Sequence, residues 1–251
     1  MGRTVVVAPH PDDEVLGCSA VLLGASATVV HVTDGVPPWT AATERDSLRS
    51  ARQTESERAW ASLSSRVDCV RLGFEDLGAW QLVDEMSERL AGLIGSLATD
   101  RVYLPAYQRG HPDHDATYIA GALARQQLGC PSGTQWWVYG LYGLDAERRL
   151  RFGWLAPEMY GPAEVQAGHA GVLETKGQAL RQFTSQVWPG SVLDRWLQDP
   201  MPEQVAPLPA SWDSVPTLPC FYDEELGFGS HGASAAEVEA AFTRALVTRA
   251  R

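Results

Sequence analysis

The chain has 251 residues, 45% of them hydrophobic and 20% charged, enough for one large domain and too apolar for general disorder. Thirty-one Asp and Glu against twenty Lys and Arg give a formal charge of -11. With no local Lys/Arg block, that balance excludes nucleic acid as the expected partner. No apolar run approaches the length of a membrane span, so no membrane partner is expected either.

The N-terminal stretch MGRTVVVAPHPDDE reaches an acidic cluster too early for a signal peptide. Cys18, Cys69, Cys130 and Cys220 are far apart and lack metal-knuckle spacing. Both features read as a cytoplasmic chain with free thiols. In chain order, the β-branched run Thr4–Val7 predicts a strand buried on both faces, ending at Ala8-Pro9-His10-Pro11. A buried helix is expected over Glu14–Ala25, a second strand over Ala27–Thr33, and a long charged helix over Glu44–Ser64. A strand over Asp68–Leu72, a helix over Leu77–Leu97 and a strand over Arg101–Leu104 follow. The last of these runs into Tyr107-Gln108-Arg109-Gly110-His111, then a helix from Pro112 to Leu128 and a fifth strand over Thr134–Leu141. Tyr142–Ala170 is punctuated by Gly and Pro and reads as loop-rich; helices are expected over Leu173–Gln186, Ser191–Leu197 and Ala235–Thr248. Six prolines between 200 and 219 make that stretch extended and non-helical.

Strands alternating with helices predict a three-layer α/β/α, Rossmann-like fold with a mostly parallel sheet. We expect a single domain over 1–251, with 143–234 as its loop-rich C-terminal part. The nucleotide reading of such a fold fails, since no G-x-G-x-x-G follows the first strand and no P-loop is present. In place of the glycine turn stand His10-Pro11-Asp12-Asp13-Glu14, whose carboxylates would repel a pyrophosphate.

That pentapeptide and His111-Pro112-Asp113-His114-Asp115 both lie at carboxyl ends of expected strands, the ligand-binding edge of an open α/β sheet. Together they hold three of the six histidines. Each cluster alone could be a helix cap, with Asp12 and Asp13 or the His111 segment satisfying free N–H groups. Two such caps at matching sheet positions are better explained by a shared metal. The spacing admits His10, one of Asp12 and Asp13, and His114 as ligands, leaving the other Asp and His111 for acid–base work. Which Asp binds is not readable from spacing. If Asp13 is the ligand, Asp12 is the base; His111 then faces the oxyanion, with Asp113 holding its ring in the protonated form. Imidazoles favour zinc or another transition ion over magnesium.

Ala8-Pro9-His10-Pro11-Asp12-Asp13-Glu14 followed by Gly110-His111-Pro112-Asp113-His114 resembles the PIG-L/LmbE-like family of metal-dependent N-deacetylases. Thr33-Asp34-Gly35, Arg52-Gln53-Thr54-Glu55, Lys176 and Ser185-Gln186 are weaker marks, and the resemblance covers about residues 3 to 187. It implies an LmbE-like fold and removal of acetyl groups from N-acetylglucosamine-type sugars or their glycosides. It also implies Zn2+ on His10, Asp13 and His114, Asp12 as general base, and His111 backed by Asp113. Arg52 aligns with a sugar-contacting arginine of some members. The family also brings homo-oligomers into consideration, with no number implied. Some members carry a tyrosine where this chain has Arg109, so Tyr107 or Tyr142 is left to substitute.

Substrate contacts are expected from Arg52, Arg109, Asp34 and Trp39, with Arg45 within reach. Arg109 is the sharpest case, as a partner for an anionic group on the substrate. The simpler alternatives are an Arg52–Glu55 i,i+3 ion pair and a turn role for Asp34. His31, inside an apolar strand, reads as a packed, hydrogen-bonded histidine, while His169 and His231 fall in segments of uncertain structure. Of the nine tryptophans, Trp39 is the best sugar platform; one of Trp136 and Trp137 is core, and Trp188, Trp196 and Trp212 accompany the Pro-rich tail. Rival functions are hydrolysis of another acyl amide or a phosphoester, and a non-enzymatic sugar-binding protein.

Overall fold

In the computed structural model, residues 3–129, 133–166, 170–209, 218 and 234–249 are described. The first apolar run forms β1 (Thr4–Ala8), whose Val5, Val6, Val7 and Ala8 have no solvent exposure. The chain continues through α1 (Asp13–Leu22), β2 (Ser26–Thr33), α2 (Arg45–Ser62), β3 (Arg66–Phe74), α3 (Val83–Ser96), β4 (Arg101–Pro105), α4 (Pro112–Gln127) and β5 (Gln135–Tyr139). After these come β6 (Tyr142–Leu144), β7 (Leu150–Phe152), α5 (Pro157–Tyr160), β8 (Glu164–Gln166), α6 (Ala170–Leu180), α7 (Val192–Gln198), β9 (Glu203–Pro207) and α8 (Ala235–Arg249).

The main sheet runs β3-β2-β1-β4-β5-β9-β8. Its first five strands are parallel, and β9 and β8 extend it in antiparallel pairing. Alternation along the strands divides the core. Val5 and Val7 face a cluster with α3, α4 and α8, whereas Val6 faces α1, α2, α6 and α7. The result is the expected three-layer α/β/α fold. Strand order reverses between β1 and β4, which opens a crevice at their carboxyl ends.

Several boundaries differ from expectation. The segment after residue 142 is less loop-rich than its glycines and prolines suggest: β6 and β7 form a hairpin, and β8 joins the main sheet. Part of the Pro-rich stretch is β9, where Pro207, lacking an N–H, sits at the strand's end. The helix expected over 77–97 opens as a 3-10 turn at Ala79–Gln81, and the one expected over 173–186 spans Ala170–Leu180. Cys130, Cys220, His169, His231, Trp212 and most of 210–220 lie outside the described residues. Cys18 and Cys69 are free thiols. Among the described residues no helix is long and apolar enough to cross a membrane.

Helix α1 is broken at Cys18, whose φ of -136° and ψ of 19° are non-helical. The break releases the N–H groups of Ser19 and Ala20, and both donate to the Glu203 carboxylate at 3.0 Å. The freed Leu16 carbonyl accepts from Lys176 Nζ at 2.5 Å, and Nζ lies 3.0 Å from Glu203. A fully buried ion pair thus replaces the missing helical bonds, with Lys176 also over the Trp196 ring. Burial lowers the Lys176 pKa, and Glu203 opposes that shift. Lys176→Met keeps the volume but strands the carboxylate, so we expect a loss of about 3–5 kcal/mol in urea unfolding. Adding Glu203→Gln should restore part of it, because the buried charge goes too. If the single variant matches wild type, the pair contributes nothing to stability.

Candidate metal centre at the strand-order reversal

The two His-bearing loops leave adjacent strands on either side of the crevice. Asp12, which precedes α1, has φ 134°, a strained value for a residue with a side chain. Its carbonyl accepts from Val15 and Leu16, so the turn that strains it also starts the helix. His111 caps α4 in extended conformation, its Nδ1 accepting the Asp113 N–H at 3.1 Å, and Pro112 occupies the first turn.

Asp13 Oδ2 lies 3.0 Å from His10 Nδ1 and 3.2 Å from His114 Nε2, and those nitrogens are 3.2 Å apart. All three side chains are buried. Three ligand atoms of a tetrahedral zinc shell, each about 2.0–2.1 Å from the ion, would be separated by about 3.3 Å. The triangle therefore fits zinc. Donor atoms of His10, His111 and His114 also lie within 4.8 Å of one another, as do those of His10, Asp76, His111 and Asp113. The described residues hold a His/Asp cluster able to bind a metal ion, consistent with a zinc cofactor.

Charges in the cluster are strongly interdependent. Burial works against the Asp13 carboxylate but is outweighed by His114 and His10, which hold it well below the usual range. Burial likewise opposes a charged His10, and Asp76, Asp113 and Asp13 override it. Asp12 is pushed up to about 7 by burial, with Arg52 opposing and Asp13 adding to the rise. His111 is driven well below its ordinary value by burial and then by His10 and His114. Beneath the loop, Glu14 accepts from Trp60 Nε1 at 2.8 Å and lies 3.3 Å from His31 Nε2. Burial disfavours a charged His31, but Glu14 prevails and raises it to about 9. His31 is thus the packed, hydrogen-bonded histidine expected from its strand.

Residues 5–124 match the family described as PIG-L, GlcNAc-PI de-N-acetylase. Over that stretch, nearly half of its length, the chain resembles the PIG-L/LmbE-like family. A 1D-myo-inositol 2-acetamido-2-deoxy-alpha-D-glucopyranoside deacetylase of Thermobifida fusca (strain YX) is 30% identical over 182 residues, 59% of this chain and 63% of the relative. A 2'-N-acetylparomamine deacetylase of Streptomyces fradiae is 30% identical over 135 residues, 45% of this chain and 48% of the relative. The chain thus spans less than two thirds of either curated relative. Among solved structures, the zinc-inhibited form of a teicoplanin deacetylase superposes with a TM-score of 0.61 at 21% identity, covering 84% of this chain and all of that one. At that identity the likeness shows the LmbE-like fold alone.

Several expected contacts are arranged differently. Arg52 is buried, donating to the carbonyls of Gly35 and Pro11 at 2.6 Å and to Asp12 Oδ2 at 2.9 Å. It grips the loop that carries Asp12. Gly35, at φ 64°, leaves no room for a side chain there, since an added Cβ would lie 2.7 Å from the guanidinium. Glu55 does not pair with Arg52; it accepts from Thr184 and Ser185 at 2.7–2.8 Å. Asp34 takes the turn role, accepting from Val36 N–H and pairing with Arg49.

The Arg109 expectation fails most clearly. Its backbone is left-handed, at φ 52°, and its guanidinium pairs with Glu239 of α8 and donates to the Leu218 carbonyl at 2.7 Å. The arginine ties the C-terminal helix to the loop. Asp113 also differs. Its carboxylate accepts from the N–H groups of Leu77 and Trp80 and lies 3.5 Å from His10, while its backbone N–H donates to His111 Nδ1. It therefore does not hold His111 in the protonated form. Tyr107 is fully buried against Tyr118 and Phe242, whereas the Tyr142 ring lies 5.1 Å from that of His114. Trp39 remains 55% exposed. Asp76, 3.3 Å from His10 Nε2, was not singled out by sequence, having no motif around it.

Proposed function

We propose that this chain is a zinc-dependent hydrolase that removes the acetyl group from an N-acetylated amino sugar or its glycoside. The reading is carried by the buried triangle of His10 Nδ1, Asp13 Oδ2 and His114 Nε2, sides 3.0–3.2 Å, which would hold the ion. Zinc supplies, when bound, a Lewis acid that polarises the amide carbonyl and makes water acidic enough to deprotonate at neutral pH. Asp12, steadied by Arg52, accepts the proton as the water oxygen bonds to the acetyl carbon. The same proton then passes to the sugar nitrogen as the C–N bond breaks, giving acetate and a free amine. His111, whose Nδ1 is occupied by the Asp113 N–H, presents Nε2–H to the developing oxyanion.

The names of both curated relatives, each a deacetylase of an acetylated sugar compound, support that substrate class. Exposed Trp39, on the loop after β2, is our candidate for stacking on the sugar face. The same reading has residues 1–251 working as one cytoplasmic domain. The test is acetate release by zinc-loaded protein from N-acetylglucosamine, the acetylated pseudodisaccharide of the first relative and 2'-N-acetylparomamine. Phosphomonoesters run in parallel. We expect acetate and no phosphate; phosphate release alone would favour a phosphoesterase, and binding without turnover a sugar-binding protein.

A further inference from the structure

We propose that Asp76 is a positioning residue that orients His10 for metal binding; this rests on the metal reading above. The His10 ring has two nitrogens in different surroundings. Nδ1 belongs to the triangle with Asp13 and His114. Nε2 is buried, 3.3 Å from Asp76 Oδ1 and 3.5 Å from Asp113 Oδ2, contacts of charge that are not aligned as hydrogen bonds. A buried ring nitrogen needs a partner, and here both neighbours are acceptors. With Nδ1 given to the ion, Nε2 carries the ring hydrogen, which Asp76 and Asp113 are placed to accept. A histidine that binds metal through one nitrogen typically donates from the other to a carboxylate, which fixes its tautomer and ring plane.

Of the two carboxylates, Asp113 is already engaged. Its oxygens accept the Leu77 N–H at 2.6 Å and the Trp80 N–H at 3.3 Å. Those bonds draw in the loop after β3, where Leu77 adopts φ 60°, and so bring Asp76 against His10. Asp76 is the nearer acceptor, 8% exposed, and among the described residues its ion-pair contact is His10. Asp113 thus acts at one remove, by holding the loop that carries Asp76.

The test is zinc affinity by chelator competition, together with zinc stoichiometry and the Tm of the metal-free protein. Asp76→Ala should weaken zinc binding by roughly 10–100-fold, the usual cost of losing such a partner. Its metal-free Tm should stay near wild type, which separates positioning from a general structural role. Asp76→Asn, which keeps an acceptor oxygen, should fall between wild type and Asp76→Ala. Affinity within twofold of wild type in Asp76→Ala would overturn the proposal. Should that variant fail to fold, Asp76→Asn carries the test under the same twofold limit. Two zinc ions per wild-type chain, with only the weaker lost in Asp76→Ala, would also overturn it, by making Asp76 a ligand of a second ion. Acetate release is no part of this readout. An error in the proposed reaction would instead appear as an inactive wild type with the affinity shift intact.

Discussion

Replacing Asp12 by Asn is expected to lower acetate release by about 10²–10⁴-fold while zinc content stays near that of wild type. The amide keeps the side chain's shape and can still meet the Arg52 guanidinium, 2.9 Å away in the native protein, but has no basic oxygen to take the water proton. The pH profile gives a second readout. Burial, assisted by Asp13 and opposed by Arg52, raises Asp12 to about 7, and the base works only as the carboxylate. Turnover should therefore fall as pH drops through that value. A cation on the neighbouring ligands favours the charged form and moves the limb lower. The limb should vanish from whatever activity Asp12→Asn retains. Wild-type turnover in that variant would remove Asp12 from the reaction.

His111→Ala should cost about 10²–10³-fold in kcat, the usual loss when one donor to an oxyanion is removed. His111→Gln, whose amide can still offer an N–H, should recover part of that loss. The donor here is a neutral imidazole. Burial and the charges of His10 and His114 push its pKa well below the ordinary value, and the Asp113 N–H on Nδ1 places the proton on Nε2. Raising the pH through 6.5 should accordingly remove nothing that His111 supplies, because the ring is already uncharged there. An alkaline limb that disappears in His111→Gln would show that the imidazolium was needed.

The parts of the protein that were legible in its sequence are those set by backbone periodicity. Short β-branched apolar runs such as Thr4–Val7 read as strands covered on both faces, and alternation with helices leaves few topologies. The two His/Asp clusters were legible because each lies in the loop that follows a strand, and β1 and β4 are neighbours in the sheet. Side-chain direction was much less accessible. Arg109 stands two residues from His111, yet its left-handed backbone, at φ 52°, accompanies a guanidinium paired with α8. Arg52 was correctly placed at the crevice but assigned outward, because nothing in its helix reveals the carbonyls of Pro11 and Gly35 waiting for it. Asp76 is one of two adjacent acids in Phe74-Glu75-Asp76-Leu77-Gly78, and nothing in that run tells which faces His10; the Asp113 contacts to Leu77 and Trp80 help to place it. Strand β9 was hidden because prolines mask a short strand as effectively as they mark a loop.

The repair of the broken α1 has a consequence for how the protein can be assembled. Ser19 and Glu203 are 184 residues apart in the chain, and their bond completes the helix that begins with the metal loop. During synthesis the first helix therefore emerges long before the carboxylate that terminates its break. Until β9 reaches the sheet, Ser19 and Ala20 have only water as partner, and Lys176 has no counter-charge. Contacts of such sequence separation form late, after the long intervening loop has closed. On their own, the N-terminal βα units lack the carboxylate that satisfies the break in α1. The hydrogen bonding of α1 is complete only once Glu203 has joined the sheet, so the ordering of that helix is coupled to strands far along the chain.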